Sequence, residues 1–90
     1  MAWTIRIEAP AEKDLKRLDP KTATRILKFL HQRIAPLDNP RAIGEALQGS
    51  KLGGLWKYRV GDWRIIANIK DSEITVLILR IGNRRDVYRR

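Results

Sequence analysis

Leu55-Trp56-Lys57-Tyr58-Arg59-Val60-Gly61-Asp62-Trp63-Arg64-Ile65-Ile66 is the stretch whose reading decides the fold. Apolar and basic residues alternate on both sides of Gly61-Asp62, the period of two expected of half-buried strands. Gly61-Asp62 itself reads as a two-residue hairpin loop, with glycine where a positive φ is needed. Pairing across that loop sets Val60 opposite Trp63, Arg59 opposite Arg64, Tyr58 opposite Ile65 and Lys57 opposite Ile66. Side chains alternate across a sheet, so the residues separate into two sets. Trp56, Tyr58, Val60, Trp63, Ile65, Ala67 and Ile69 share one face, which is apolar throughout and should pack on helices. Lys57, Arg59, Arg64 and Asn68 share the other.

Outward from the hairpin, Glu73 to Leu79 reads as a third strand, reached through a weaker turn at Asp71-Ser72. That turn would put Ile66, Leu77 and Leu79 on the basic face. Upstream, Gln48 to Gly54 holds three glycines and reads as a connection. Arg41 to Leu47 fits a helical turn or two, and Pro36 to Pro40 is loop. Ile26, Phe29, Leu30 and Ile34 recur at helical spacing, so a helix should run from Pro20 to Ile34. Lys21, Arg25, Lys28, Gln32 and Arg33 lie mostly between those apolar positions. Asp19 is its expected N-cap. A shorter helix opens at Pro10 and carries Ala11, Leu15 and Leu18. Trp3-Thr4-Ile5-Arg6-Ile7 alternates and reads as a strand. The expected fold is therefore α+β: an N-terminal strand, an antiparallel helical hairpin, then a three-stranded antiparallel meander with the helices on one face.

Ninety residues correspond to one domain spanning 1–90, with a thin core. Nineteen Lys and Arg against ten Asp and Glu leave a net charge of +9. Such a field favours polyanions: nucleic acid, an acidic membrane or an acidic protein. There is no cysteine, which excludes disulfides, thiol catalysis and cysteine zinc motifs. No run approaches ~20 apolar residues and no signal-peptide core opens the chain, so a cytoplasmic location without a membrane is expected.

Arg59 directly opposite Arg64 costs a few tenths to ~1 kcal/mol in like-charge repulsion. Two readings stay open: solvated charges on a wet face, or a pair relieved by a bound anion. Three aliphatics on that same face favour a cover, whether the C-terminal tail, a nucleobase or a partner helix. The tail, Arg80-Ile81-Gly82-Asn83-Arg84-Arg85-Asp86-Val87-Tyr88-Arg89-Arg90, carries five arginines and one tyrosine that no core needs. Guanidinium forks match phosphate oxygens. A sharp change of direction at Gly82 would return Arg84 and Tyr88 towards Arg64. His31, the single histidine, reads as structural or surface, because no second imidazole exists for acid–base work. Trp56, Tyr58 and Trp63 have core parity and read as packing residues, not stacking platforms.

In segments 55–66 and 81–88 the chain resembles the RelE/ParE toxin superfamily, and within it the RelE-like messenger-RNA interferases. The resemblance spans nearly the whole chain and implies the RelE-like microbial RNase fold. It implies the toxin of a type II toxin–antitoxin system, entering the A site of the 70S ribosome and cutting the mRNA there. The reaction it implies is attack of a ribose 2′-hydroxyl on the adjacent phosphate, with no metal or small-molecule cofactor implied. A cognate antitoxin would cover the basic groove. Residue by residue, Arg64 matches the strand arginine that stabilises the transition state, and Arg84 the tail arginine near the leaving oxygen. Tyr88 matches the tail tyrosine, and Lys57 the first basic strand position; these four form the implied catalytic set. Arg59, Asn83, Arg85 and Arg89 form the implied RNA-binding set.

Two positions depart from the family pattern. Arg59 stands where lysine is frequent, and a guanidinium is a poor base. Asn83 stands where histidine is frequent, and an amide takes up no proton near neutral pH. The base role shifts to Lys57 or Tyr88, or catalysis becomes purely electrostatic. Two alternatives share the fold: a ParE-like inhibitor of DNA gyrase, and a catalytically weak nucleic-acid-binding toxin.

Overall fold

The computed structural model describes residues 2–47 and 54–83. In chain order the elements are β1 (Thr4–Ile7), α1 (Ala9–Lys16), α2 (Pro20–Phe29), β2 (Glu45–Ala46), β3 (Leu55–Val60), β4 (Trp63–Lys70) and β5 (Thr75–Asn83). They form one five-stranded sheet in the order β1-β5-β4-β3-β2.

Local chemistry places both helices. Pro10 occupies the first turn of α1. Asp19 caps α2: its carboxylate accepts from the Thr22 N–H at 3.1 Å and from the Thr22 hydroxyl at 2.6 Å. Those bonds hold the Asp19 carboxyl below its ordinary range. The helical path of α2 continues through Leu30–Ile34 as a wider π turn, closed by the Ala35 N–H on the Leu30 carbonyl at 3.0 Å. The helix expected over 20–34 is thus present, with a loosened last turn. Ile26, Leu30 and Ile34 are fully buried on one face.

The β3–β4 hairpin has the expected register at every position: Val60 with Trp63, Arg59 with Arg64, Tyr58 with Ile65, Lys57 with Ile66. Gly61 has φ +60°. Tyr58, Val60, Ile65, Ala67 and Ile69 join Ala11, Ile26, Leu30 and Ile34 in one apolar cluster, with Leu15, Leu18, Trp56 and Trp63 packed against it. The sheet face assigned to the core is the face the helices cover.

Several expectations are corrected. The sheet is mixed, because β1 pairs in parallel with β5, Thr4 beside Thr75 through Ile7 beside Ile78. Residues 41–47 form no helix. After turns at Ala42 and Gly44 the chain enters β2, which pairs Glu45 with Lys57 and Ala46 with Trp56. A Cβ on Gly44 would lie 3.0 Å from the Tyr58 ring, so glycine lets the backbone pass over the tyrosine. The connection expected over Gln48 to Gly54 lies outside the described residues up to position 53.

The third strand is Thr75–Asn83, not Glu73 to Leu79. A 3₁₀ turn at Asp71–Glu73 and Ile74 at φ +49° replace the two-residue turn. Lys70 therefore faces Thr75, two positions later than Asp71-Ser72 would set it. A shift of two preserves parity, so Leu77 stays on the basic face, beside Asn68 instead of Ile66. A bulge then intervenes: Ala67 faces Ile78 while Ile66 faces Arg80, leaving Leu79 as the extra residue. The bulge reverses parity beyond it. Ile81 enters the core at 3% exposure, and Arg80 is kept out. Without the bulge, Arg80 would face Ile65 in the apolar layer.

Candidate nucleic-acid interface

The sheet face turned away from the helices presents Lys57, Arg59 and Arg64 on adjacent strands. Arg59 and Arg64 are direct cross-strand partners, and Lys57 pairs with Ile66. The Arg59 side chain is 62% exposed and that of Lys57 23%. Arg64 folds towards the hairpin loop, where its Nη1 donates to the Gly61 and Trp63 carbonyls at 3.0 Å each. The backbone thus sets the direction of that guanidinium before any ligand arrives. Ile66, cross-strand partner of both Lys57 and Arg80, is only 6% exposed. It forms an apolar floor.

Sequence reasoning missed Glu45. Its carboxylate lies 3.4 Å from Lys57 Nζ and 3.7 Å from Arg59 Nη2. A strand of two residues carries too little alternation to be recognised, so Glu45 gave no signal until β2 paired with β3. Glu45 offsets part of the local positive charge. It also supplies a group that can accept a proton, which an arginine cannot.

Arg80, counted among the tail arginines, does not join this site. Its Nε and Nη2 donate to Asp14 of α1 at 2.9 and 3.1 Å. Contrary to expectation, the fold does need this arginine. Gly82 is not a turn either: it lies in β5 opposite Arg64, where it places no side chain beside the guanidinium. Asn83, the partner of Trp63, ends the strand. Arg84, Arg85, Tyr88 and Arg89 lie outside the described residues, as does the expected return of the tail. The register brings β5 to its end next to Arg64, because β5 runs antiparallel to β4 as far as the hairpin loop.

The aromatics serve packing. Tyr58 is fully buried, and its hydroxyl donates to the Pro40 carbonyl at 2.6 Å. Burial pushes its phenol up to about 12, against the opposing pull of the Arg41 charge. Arg41 lies over the Trp56 ring at 5.8 Å and makes two bonds to Asp71, at 3.0 and 2.6 Å. That pairing holds the Asp71 carboxyl below its usual range and Arg41 above its own. It pins the loop after α2 onto the β4–β5 turn. His31 is exposed on the π turn. Among the described residues no group of three or more His, Asp or Glu could hold a metal, and no helix is long and apolar enough to cross a membrane.

A small mixed sheet thus packs helices on one face and presents clustered cations on the other. Residues 5–88 match the family described as ParE toxin of type II toxin–antitoxin system, parDE. The chain belongs to that family. Toxin RelG of Mycobacterium tuberculosis (strain ATCC 25618 / H37Rv) is 32% identical over 90 residues, covering all of both chains. Toxin RelE of the same organism is 35% identical over 87 residues, covering 97% of this chain and 87% of that protein. Among solved structures, the RelBE2 toxin–antitoxin complex of M. tuberculosis matches with a TM-score of 0.84 and 29% identity, over 96% of this chain and 95% of that one. The archaeal RelE–RelB complex from Pyrococcus horikoshii shares the fold, with a TM-score of 0.69 and 24% identity, over 97% and 100% of the two chains.

Proposed function

We propose that this toxin is a metal-independent endoribonuclease that cuts mRNA in the A site of the 70S ribosome and so stops translation. The observation that carries the reading is the cross-strand pair of Arg59 and Arg64, with Lys57 beside it, at the end of the sheet from which the arginine- and tyrosine-bearing tail departs. Like charges opposite each other are unfavourable in the free protein, and an RNA phosphate between them reverses the sign of that interaction.

In the proposed reaction the 2′-hydroxyl oxygen attacks the adjacent phosphorus. A 2′,3′-cyclic phosphate forms, the P–O5′ bond breaks, and the 5′ oxygen leaves as a hydroxyl after taking a proton. Arg64, aimed by its bonds to the loop carbonyls, stabilises the charge that develops on the phosphorane oxygens. Arg84 neutralises the leaving oxygen. Tyr88 stacks on a base and orients the 2′-hydroxyl. Lys57, Tyr88 and Glu45 are the groups that can take its proton. Arg59, Asn83, Arg85 and Arg89 hold flanking phosphates. No cofactor enters the scheme.

The partner is a cognate antitoxin lying across the basic face, an assignment supported by the likeness to the RelBE2 complex. The toxin acts in the cytoplasm, where ribosomes are. The deciding experiment is primer extension on a messenger in a reconstituted bacterial translation system, with and without ribosomes, comparing wild type with Arg64→Ala and Arg84→Ala. Ribosome-dependent cuts that vanish in both variants support the reading. An intact messenger with wild type moves the assignment to gyrase inhibition or an inactive binding toxin, which a supercoiling assay separates.

A further inference from the structure

The helix side of the molecule carries a second basic surface, whose Lys21, Arg25, Lys28 and Arg33 the cleavage scheme does not use. Residues 20–34 contain no acidic side chain. Lys21, Arg25, Lys28 and Gln32, spaced by four, three and four, lie on one exposed face of α2 and the π turn after it, opposite buried Ile26, Leu30 and Ile34. None of the ion pairs among the described residues involves Lys21, Arg25, Lys28 or Arg33. Arg25, Lys28 and Arg33 line an open cleft of about 420 Å³ with Arg59 and Gly61 of the hairpin. The Arg25 guanidinium sits on the loop, its Nη1 3.2 Å from where a Cβ on Gly61 would be. Arg64 reaches the same residue from the sheet, through the Gly61 carbonyl. The hairpin tip therefore joins two cationic surfaces into one.

We infer that the α2 face and its cleft, from Lys21 to Arg33, form a docking surface for the phosphate backbone of double-helical RNA, adjoining the cleavage site at Arg59. This deepens the function proposed above and rests on it for the identity of the polyanion. Three features select the partner. Uncompensated cations over roughly 18 Å of helix suit a row of phosphates. A protein interface would be anchored by exposed apolar or aromatic side chains. The large hydrophobics exposed among the described residues are Ile43 and Ile74, neither on this face. A single-strand site would offer aromatic platforms for bases. Here the one aromatic at the cleft, Phe29, packs on the core and meets the Tyr58 ring edge-on. Duplex RNA is bound chiefly through its backbone and needs neither.

The test uses the intact toxin and a labelled 20-base-pair RNA duplex with 2′-O-methyl strands, which cannot be cut by 2′-hydroxyl attack. Fluorescence anisotropy is followed from 50 to 300 mM KCl, with a single-stranded RNA and a glutamate-rich peptide as competing probes. The triple variant Arg25→Gln/Lys28→Gln/Arg33→Gln should bind the duplex at least ~10-fold more weakly at 0.1 M salt. Its slope of log affinity against log salt should be lower by about 2–3. Arg64→Ala should change duplex affinity less than ~3-fold. Lys28→Glu alone should lower the slope by about one to two, which keeps the test decisive if the triple variant misfolds. Wild-type affinity and slope in the triple variant would overturn the proposal. So would a loss confined to the single strand, or one confined to the acidic peptide, which would make the face a messenger path or a protein interface. Because no cleavage is read, a wild type that binds duplex but never cuts messenger refutes the interferase reading alone. A wild type that cuts, with duplex binding indifferent to the triple change, refutes this surface alone.

Discussion

Arg80 is tied to Asp14, sixty-six residues earlier, by two hydrogen bonds of 2.9 and 3.1 Å, and the same carboxylate accepts the Ile81 N–H at 2.9 Å. β1 ends at Ile7, opposite Ile78, so among the described residues β5 has no strand on that side beyond this point. Asp14 of α1 supplies the acceptor that a strand would have supplied. Asp14 is only 8% exposed, while the Arg80 side chain keeps 29% of its surface in solvent.

Removing that acceptor strands a buried N–H and an arginine. Asp14→Ala should lower stability by about 1–3 kcal/mol, the cost of leaving a buried donor unsatisfied, since partly exposed Arg80 can turn to water. Asp14→Asn, which keeps an oxygen for Ile81, should cost less. Urea unfolding of both variants checks the order; equal stabilities would mean that the carboxylate charge and its bonds contribute little.

Among the described residues Arg64 bonds to carbonyls of its own hairpin, so its loss should barely touch the fold. Arg64→Ala is expected to reduce ribosome-dependent cleavage by about 10²–10³, the typical cost of one preoriented transition-state donor. Its unfolding midpoint should move by less than ~1 kcal/mol in equivalent stability. Arg80→Lys, by contrast, should leave cleavage near wild type while weakening the fold. Reversed phenotypes in the same two assays would exchange the roles assigned to these arginines.

Tyr58 makes stability depend on alkaline pH. Its phenol titrates at 10.0 when exposed and is raised to about 12 by burial in the fold. The native state therefore holds this proton more tightly than the unfolded chain. The contribution is fully present below pH 10 and is lost as pH rises towards 12. Tyr58→Phe leaves the Pro40 carbonyl without its donor and should cost about 0.5–1.5 kcal/mol at neutral pH. Thermal melts across pH 8 to 12 should show that deficit shrinking above pH 10; a constant deficit would contradict the titration.

Gly61 adopts φ +60° at the tip of the hairpin, where a side chain is strained and Arg25 leaves little room. Gly61→Ala should cost about 1–2 kcal/mol. Gly61→Asn, better suited to positive φ, should cost less. Denaturant titration of both variants measures it, and an alanine variant as stable as wild type would mean that the turn changes type to accommodate it.

Glu45 offsets Lys57 and Arg59 from an exposed edge strand. Glu45→Gln should alter stability by no more than ~0.5 kcal/mol, as expected of exposed pairs. RNA affinity should rise a few-fold, because the cations then meet phosphate without competition. Anisotropy with an uncleavable single-stranded RNA reports it. Weaker binding would show that Glu45 orients the two cations more than it screens them.

Periodicity and local chemistry were enough, from sequence alone, for the β3–β4 register, the two sheet faces, the Asp19 cap and the reach of the helix through Ile34. Each rests on neighbours close along the chain: a two-residue loop, an N-cap three residues from its donor, apolar residues one turn apart. The basic face with Lys57, Arg59 and Arg64 was legible for the same reason, since hairpin pairing fixes parity. Tertiary structure decided what depends on distant partners. Parallel pairing of β1 with β5, the two-residue strand bearing Glu45, and the bulge that places Ile81 inward have no local signal. The role of Arg80 was misread because a guanidinium looks alike in sequence whether it awaits a phosphate or meets a carboxylate. Only the packing of α1 against β5, which sets Asp14 beside it, separates the two.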